Sequence, residues 1–380
     1  MEHGELVRPE VVAKRERRLL HGSAAVDTIA WSYHDFGYGN SLAHVGRETV
    51  NALREAGVRV RIAPWGDKVA KDMTVPWATD EELARSAVVA MARTDVPGHV
   101  HARLRKAGAP FVAAYYMLEG TGARDADVDF LEGYDAVFVP SEFCRKVLAE
   151  SGLSTPVRVW GHGFDHRMFP YVEPRPGRPF TFLWFGDENR RKGYDLFLRA
   201  FAALNRGDVR AWVRGPGSGG VSGLRKKYAA DHRIVWDTQV SPPGQLKEMM
   251  AEADVLVAPF RGEGFGLTLL EAMASGRPVV CTRFSGPLDF GGGDDLTYWV
   301  GVAGWEAAQY DSGNQAVPDF DDLVAKMEWC ADHPDEVRDR GRRAHAHAHA
   351  SWTWLRKAAE VLPVLRDLIP RYEIPPVLGL

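Results

Sequence analysis

The stretch from Asp254 to Cys281, DVLVAPFRGEGFGLTLLEAMASGRPVVC, limits the possible folds most strongly, because it reads as strand, glycine-rich loop, helix and strand. The short apolar run at 254–259 is typical of a buried parallel strand. Apolar residues at positions 267, 270, 273 and 274 have the spacing of one helix face. Gly276 and Pro278 predict the end of that helix and the start of the next strand. The stretch therefore predicts one βαβ unit of a parallel sheet.

The loop before this helix has the chemistry of a phosphate site. A helix start leaves backbone N–H groups unpaired and carries a partial positive charge, which attracts phosphate. Gly264 and Gly266 let the backbone approach a ligand with no Cβ in the way. Glu263 and Glu271 flank this point, and carboxylates accept hydrogen bonds from the hydroxyls of sugars and ribose. The alternative is that Glu271 is an ordinary acid favoured by the helix dipole and that the glycines only turn the chain.

Strands and helices alternate along the chain, and a length of 380 residues predicts two domains. In the first half, strands are predicted at 26–33, 58–64, 110–116, 135–140 and 157–160, with helices at 41–56, 80–93, 98–106 and 141–151. In the second half, strands are predicted at 179–186, 209–214, 233–236, 254–259, 278–282 and 297–302, with helices at 192–205 and 352–369. The segment YVEPRPGRP between the halves predicts a linker. Such alternation predicts parallel sheets, whose ligands bind beyond the carboxyl ends of the strands.

The composition argues against several other classes of protein. The chain has 47 Lys and Arg against 51 Asp and Glu, a net charge of −4, which does not mark a nucleic-acid or membrane-surface binder. The three cysteines, Cys144, Cys281 and Cys330, are scattered, which favours a reducing compartment over a disulfide framework. The first 18 residues are polar and charged, and no apolar run approaches the roughly 20 residues of a membrane-spanning helix. We therefore expect a cytoplasmic protein without a transmembrane segment.

His345, His347 and His349 resemble a metal-binding tract. On a helix only the first and third share a face, at i and i+4, and no third ligand such as a nearby glutamate follows. We therefore interpret them as part of a solvated helix and expect no metal site.

The string EGFGLTLLEAMASGRPVV, with Glu263 and Glu271 separated by seven residues, resembles the signature of the retaining glycosyltransferases of family 4. Four other segments are similar to that family: GHGFDHRMF from 161, DENRRKGYDLFLRAF from 187, AWVRGPGSGG from 211 and DTQVSPPGQLKEMMAEADV from 237. The resemblance implies the α/β GT-B fold, in which two Rossmann-like doubly wound domains face each other across a cleft. It implies an acceptor-side domain at 1–170, with a C-terminal helix in 352–380 packing back on it. The nucleotide-sugar-binding domain would be 171–351.

The resemblance assigns most of the expected site to the second domain. Glu263 would bind hydroxyls of the donor sugar, Glu271 would bind the ribose hydroxyls, and Lys192 would contact the diphosphate. The other donor-binding residues that it implies are Gly186, Arg191, Gln239, Val240, Gly264, Phe265, Gly266, Leu267 and Thr268. Glu263, Lys192 and Glu119 are the expected catalytic residues.

The sequence departs from the family at the loop after Gly186. The family usually has an arginine directly after this strand-ending glycine, whereas this chain has Asp187. Arg190 and Arg191 are the candidates to supply the missing guanidinium. The alternative is that these two arginines belong to a solvated loop.

On the acceptor side, the resemblance implies a loop at Gly37, Tyr38, Gly39 and Asn40, which faces the acceptor or the donor phosphates. Many family members carry a histidine after the strand at 111–117, and here Glu119 of YYMLEG stands at about that place. A carboxylate there can accept a hydrogen bond from an acceptor hydroxyl. The alternative is that Glu119 is an ordinary surface acid.

The expected function is transfer of a hexose, with retention, from a nucleoside diphosphate sugar to an acceptor hydroxyl. No cofactor or metal is expected beyond the donor itself, for which a UDP-sugar is the first candidate. The acceptor stays open between a small molecule, a glycan and a modified base in DNA. The alternatives are a sugar-nucleotide epimerase of the same fold, which would convert the donor without an acceptor, and a binder that never turns the donor over.

Overall fold

The computed structural model describes residues 25–33, 41–63, 74–92, 100–215, 222–238 and 244–374. Its strands are β1 (Thr28–Ser32), β2 (Val60–Ala63), β3 (Ser86–Met91), β4 (Phe111–Tyr115), β5 (Ala136–Val139), β6 (Val157–Val159), β7 (Phe180–Phe185), β8 (Val209–Arg214), β9 (Ile234–Asp237), β10 (Val255–Ala258), β11 (Val279–Thr282), β12 (Thr297–Val300), β13 (Val302–Ala307) and β14 (Asn314–Pro318). Its α-helices are α1 (Ser41–Glu55), α2 (Asp80–Leu83), α3 (Val100–Lys106), α4 (Asp125–Leu131), α5 (Glu142–Glu150), α6 (Tyr194–Ala203), α7 (Ser222–Tyr228), α8 (Gly244–Glu252), α9 (Leu267–Ala274), α10 (Phe320–Asp332), α11 (Pro334–Ser351) and α12 (Trp354–Leu368).

The chain divides into two compact units. The first contains the chain up to Leu118, Gly122–His162 and the chain from Trp354 onward, and the second contains Gly163–Thr353. Three residues of the loop after β4, Glu119–Thr121, group with the second unit. No described helix is long and apolar enough to cross a membrane.

The first unit is built on a six-stranded parallel sheet in the order β2-β1-β3-β4-β5-β6. Its central strands are buried throughout because helices cover a parallel sheet on both faces. Trp31, Tyr115 and Trp160 pack together in this unit, with ring centroids 5.6–6.3 Å apart, and the Tyr115 hydroxyl donates to the Trp160 carbonyl at 2.6 Å. The last helix, α12, also belongs to this unit and packs on α1.

The predicted helix at 80–93 is wrong. Helix α2 covers only its first residues, starting from a capping box between Thr79 and Glu82, and the chain then enters β3, which lies between β1 and β4. Every residue of β3, SAVVAM, is buried. A short apolar run has no polar residues to reveal its period, so pattern alone does not separate a buried strand from a buried helix.

The second unit also contains a six-stranded parallel sheet, in the order β9-β8-β7-β10-β11-β12. Alternate residues of β7 face opposite layers, since Phe182 and Trp184 pack in one core cluster and Leu183 packs in another. The strand order reverses between β7 and β10, the place where ligands of such sheets bind. Both sheets match the predicted pair of Rossmann-like domains, and that part of the fold prediction is confirmed.

Several elements of the second unit were not predicted: the short helices α7 and α8, a hairpin and α10, while α11 was expected only around its three histidines. An antiparallel hairpin, β13–β14, follows the sheet, and the helices α10 and α11 come after it. Helix α11 packs on α9. Its close approach to the chain after α9 requires Gly341, because a Cβ at that position would overlap the Gly276 carbonyl.

The interpretation of the three histidines as a solvated helix is also wrong. They lie on α11, partly buried, and pair with backbone carbonyl oxygens. His345 Nδ1 lies 2.6 Å from the Ala274 oxygen and His347 Nε2 lies 2.8 Å from the Phe290 oxygen. His349 Nε2 lies 3.2 Å from the same Ala274 oxygen. These contacts tie α11 to the end of α9, and the described residues contain no group of three metal-ligand side chains.

Gly193 fixes the loop between β7 and α6, which carries Lys192. Its φ of 72° lies in the left-handed region, and a Cβ there would overlap the Pro259 carbonyl. Gly177, in the same unit, has a similar φ of 74° but open space around it.

We predict that Gly193→Ala destabilises the protein by about 1–3 kcal/mol more than Gly177→Ala, measured by urea unfolding. Both variants place an L side chain at positive φ, which costs about 1 kcal/mol. Only Gly193→Ala adds a clash with backbone, which overpacking data put at about 1–3 kcal/mol. Equal losses in the two variants would contradict the tight packing of this loop.

Candidate functional site

The loop from β10 to α9 is held in place by packing and by backbone hydrogen bonds. Gly266 is the N-cap of α9 with φ 97°, a conformation that favours glycine. The Phe265 side chain is buried between the rings of Phe290 and Trp352, at centroid distances of 5.0 and 6.0 Å. Leu267 and Thr268, in the first turn of α9, stay partly exposed. The amide-rich start of α9 is therefore fixed by the core beneath it.

Glu263 is a buried carboxylate paired with two cations. Its exposed fraction is only 6%, and its Oε1 lies 2.6 Å from Lys192 Nζ and 3.2 Å from Arg191 Nη1. Burial alone raises the pKa of Glu263, but the charges and hydrogen bonds of Lys192 and Arg191 outweigh it, so the pKa falls below its usual value. The carboxylate is therefore kept ionised in a desolvated place.

The geometry explains why Lys192 and Arg191 reach Glu263. They follow β7, and Glu263 follows β10, the two strands that flank the reversal of strand order. The Arg191 guanidinium also donates to the Gly262 carbonyl at 2.8 Å. Arg191 is itself buried, so the solvated-loop alternative is wrong for this residue.

Ser285 is a site residue that the sequence analysis missed. Its hydroxyl oxygen accepts the Glu263 N–H at 3.0 Å, and the next amide, Gly286 N, donates to the Glu263 carbonyl at 3.0 Å. Ser285 has φ 59°, a conformation that costs a non-glycine residue on the order of 1–3 kcal/mol. A strained residue is held here directly against Glu263, and no sequence pattern marks a serine at positive φ.

Glu119 joins the same cluster. Its Oε1 lies 3.0 Å from Arg191 Nη2, so Arg191 lies between the carboxylates of Glu119 and Glu263. The pKa of Glu119 is raised to about 6. Burial is the largest cause, the charges of Glu263 and Asp311 act in the same direction, and the charges of Arg191 and Lys192 oppose them. With 30% of its side chain exposed, Glu119 titrates near neutral pH and still reaches solvent.

Glu271 and Gly186 are further predicted site residues, and both lie in the described part of the second unit. Glu271 lies in the second turn of α9 and is buried, with an exposed fraction of 6%. Gly186 follows β7 beside Lys192, since a Cβ on it would lie 3.9 Å from Lys192 Cδ. The predicted acceptor loop Gly37, Tyr38, Gly39 and Asn40 and the predicted base contacts Gln239 and Val240 lie outside the described residues.

The two arginines proposed to replace a missing guanidinium are both engaged by acids. Arg190 is half exposed and pairs with Glu306 of the β13–β14 hairpin. Arg191 is held by Glu263 and Glu119 as described above. Asp187, the residue after Gly186, is exposed. The assignment of Arg190 or Arg191 as a second phosphate-binding cation therefore stays a prediction.

We predict that Lys192→Met lowers the free energy of unfolding by about 2 kcal/mol at pH 7, because a buried carboxylate loses one of its two cations. The wild-type pair stabilises the fold above the unfolded-state pKa of glutamate, about 4.3, and this contribution is lost as the pH falls through the lowered folded-state pKa of Glu263. In Lys192→Met, burial favours the protonated form of Glu263, so the loss of unfolding free energy relative to the wild type becomes smaller as the pH falls.

The measurement is urea unfolding of both proteins between pH 7 and pH 4. Lys326→Met is the control, because Lys326 pairs with Asp322 on the surface of α10 and such helix pairs contribute only about 0.5 kcal/mol. A Lys192→Met loss that stayed constant with pH would contradict the assignment of the effect to Glu263.

Residues 179–301, from β7 to just past β12, match the family model described as glycosyl transferases group 1. A D-inositol 3-phosphate glycosyltransferase from Corynebacterium aurimucosum is 29% identical over 220 residues, which cover 54% of this chain and 49% of that protein. The lipopolysaccharide core biosynthesis mannosyltransferase LpsB from Rhizobium meliloti is 35% identical over 161 residues, which cover 36% of this chain and 44% of that protein. The chain thus spans half the length or less of these curated relatives.

Solved structures match over most of the chain. A sucrose-phosphate synthase from Thermosynechococcus elongatus has a TM-score of 0.67 at 17% identity, covering 90% of this chain and 99% of that one. HepE from Anabaena, in complex with UDP-glucose, has a TM-score of 0.69 at 12% identity with the same coverage. Residues 179–301 thus match the model of a family of sugar-transferring enzymes, and the chain has the fold of the GT-B glycosyltransferases to which it is similar.

Proposed function

We propose that this protein is a retaining glycosyltransferase, which moves a hexose from a nucleoside diphosphate sugar to the hydroxyl of an acceptor. The observation that carries the proposal is the buried Glu263 carboxylate, paired with Lys192 and Arg191 beside the start of α9. Each part of this cluster suits one part of such a donor.

The diphosphate suits the cations and the helix start. Lys192 is a point charge on a flexible stem with 24% of its side chain exposed, so it can reach a phosphate while staying near Glu263. The start of α9 presents backbone N–H groups and the partial positive charge of the helix dipole. Fixed donors of this kind stabilise the negative charge that develops on the leaving diphosphate.

The sugar suits the carboxylates. Glu263 is kept ionised, so it is a strong acceptor for hydroxyl hydrogen bonds. Glu271, further along α9, is the proposed partner of the ribose hydroxyls. HepE, which shares the fold, was crystallised with UDP-glucose, and this supports a UDP-sugar as the first donor to test.

The acceptor hydroxyl suits Glu119. In its carboxylate form Glu119 accepts a hydrogen bond from that hydroxyl and orients its oxygen towards the sugar C1. The oxygen forms a bond to C1, the bond from C1 to the phosphate oxygen breaks with its electron pair left on the diphosphate, and the hydroxyl proton passes to the Glu119 carboxylate. The two curated relatives carry names that place their acceptors among phosphorylated polyols and glycans, which favours a small polyol or glycan here.

Retention is proposed from the family resemblance, and the way Glu263 is held argues against a double displacement through this carboxylate. Two cations lower its pKa, and a carboxylate whose charge is already neutralised by neighbours is a poor nucleophile. The reaction then proceeds by attack on the same face from which the diphosphate leaves, within an ion pair. No metal is proposed, because Lys192 and the start of α9 supply the positive charge.

We predict that one donor among UDP-glucose, UDP-N-acetylglucosamine, GDP-mannose, ADP-glucose and TDP-glucose raises the Tm of the wild type. At a concentration of 100 Kd, the stabilisation is about 2.7 kcal/mol. Glu271→Ala removes most of this shift because it deletes the proposed ribose acceptor. Glu328→Ala, at an exposed position of α10 in the same unit, is the matched control and keeps the shift.

The proposal fails if Glu271→Ala and Glu328→Ala respond equally to the stabilising donor. It also fails if the wild type converts that donor to an isomer without releasing nucleoside diphosphate, since this result identifies an epimerase. Binding without any release of diphosphate, with or without D-inositol 3-phosphate or a hexose as acceptor, identifies a binding protein instead.

We predict an acidic limb with an apparent pKa of about 6 in the pH dependence of kcat, because protonated Glu119 no longer accepts the hydrogen bond. Glu119→Gln removes this limb and lowers the plateau by about 10- to 100-fold. Glu328→Gln leaves both unchanged. A Glu119→Gln enzyme with the wild-type limb and rate would exclude Glu119 from the reaction.

A further inference from the structure

The loop at the tip of the β13–β14 hairpin meets the backbone of Glu119 and Gly120. The Asp311 carboxylate, at this tip, accepts two hydrogen bonds through Oδ2, from Glu119 N at 2.5 Å and from Gly120 N at 2.7 Å. A carboxylate that accepts two adjacent amides makes charge-assisted hydrogen bonds, which are stronger and shorter than neutral ones. Asp311 therefore fixes the backbone of Glu119 and Gly120, from which the Glu119 side chain extends.

A second pair of hydrogen bonds extends this contact along the chain. Thr121 N donates to the Asn314 carbonyl at 2.9 Å, and Asn314 N donates to Thr121 Oγ1 at 2.8 Å. The fit allows no side chain at Gly120, because a Cβ there would lie 2.8 Å from Ala308 Cβ and 3.0 Å from the Ser312 carbonyl oxygen. The hairpin thus holds the backbone of residues 119–121 by shape as well as by hydrogen bonds.

The two strands of the hairpin are also attached to the loop that carries Glu263. Ala316 N donates to the Arg261 carbonyl at 2.8 Å, and Glu306 Oε1 lies 3.1 Å from Arg261 Nε. One hairpin therefore connects the backbone of Glu119 to the loop of Glu263. The family match ends at residue 301, so these hairpin residues lie beyond it.

We propose that Asp311 is a positioning residue, which sets the place of the Glu119 carboxylate relative to the donor site through the Glu119 and Gly120 amides. This inference rests on the proposed function, because it assumes that Glu119 orients the acceptor hydroxyl. Asp311 touches neither donor nor acceptor in this account, and its effect passes through the backbone.

The charge of Asp311 also acts on Glu119. The charged groups that face Glu119 are Arg191 and Lys192, which lower its pKa, and Glu263 and Asp311, which raise it. Removing the negative charge of Asp311 therefore lowers the pKa of Glu119. A residue with a purely structural role elsewhere in the fold would not move this pKa.

The test compares Asp311→Asn and Asp311→Ala with the control Asp294→Asn, an exposed aspartate of the same unit. The assay uses the stabilising donor from the five named above, with D-inositol 3-phosphate, D-glucose or water as acceptor. We expect Asp311→Ala to lower kcat by up to about 100-fold through misplacement of Glu119, with the KM for the donor unchanged. Asp311→Asn keeps the side-chain shape, so its kcat falls less. In both variants the acidic limb of the pH dependence moves to lower pH, because the negative charge of Asp311 is lost.

A second measurement does not depend on activity. Hydrogen–deuterium exchange of the peptide containing Glu119 and Gly120 should accelerate at least tenfold in Asp311→Ala, whereas a peptide from β10 should exchange as in the wild type. Loss of protection in β10 as well would signal general unfolding, and Asp311→Asn then carries the test. Unchanged exchange at Glu119 and Gly120 in Asp311→Ala, or an acidic limb of Asp311→Asn at the wild-type pH, overturns the proposal.

The failures of the two proposals are distinguishable. If the wild type turns over a donor but the Asp311 variants match it in kcat and acidic limb, the positioning role is overturned and the proposed function stands. If the wild type turns over none of the donors, the proposed function is overturned, and accelerated exchange alone supports the contact of Asp311 with the backbone of Glu119.

Discussion

The ion pair between Glu263 and Lys192, completed by Arg191, is the interaction on which the candidate site depends. A carboxylate with an exposed fraction of 6% is costly to bury unless it is paired. Here the compensating cations come from the loop after β7, and the carboxylate comes from the loop after β10. Because these strands are neighbours at the reversal of the sheet, the pairing brings both loops to the start of α9. Packing of Phe265 and the strained Ser285 then hold the backbone of Glu263 against movement.

The β13–β14 hairpin extends this arrangement to a third segment of the chain. Arg191 bridges Glu263 and Glu119 through its side chain, while Asp311 holds Glu119 through its backbone. Glu119 is therefore held at two points: the Arg191 guanidinium pairs with its carboxylate, and the Asp311 carboxylate accepts a hydrogen bond from its backbone N–H. These two contacts shift the pKa of Glu119 in opposite directions, since Arg191 lowers it and Asp311 raises it. The pKa of the Glu119 carboxyl group therefore depends on two residues that are distant in the sequence, Arg191 and Asp311.

The sequence predicted the elements that carry strong local signals. The βαβ unit from β10 to β11 was readable because its glycines, its helical spacing and Pro278 all agree. Strand β3 was not, because SAVVAM is apolar at every position after Ser86 and shows no period. Lys192 and Glu263 were found by resemblance, but nothing local indicated that Arg191 would join them. Ser285, Asp311 and the docking of His345 were missed because each acts through tertiary contacts with distant backbone.

The central claim is that the start of α9, with Glu263 and Lys192 beside it, binds the diphosphate and the sugar of the donor. A crystal structure of the protein with UDP-glucose, or with the nucleotide sugar that most raises its Tm, tests this directly. We predict phosphate oxygens within about 3.2 Å of Lys192 Nζ and of backbone N–H groups at the start of α9, and a sugar hydroxyl at the same range from a Glu263 carboxylate oxygen. Electron density for the donor away from α9, with no donor atom in contact with Lys192 or Glu263, would contradict this claim.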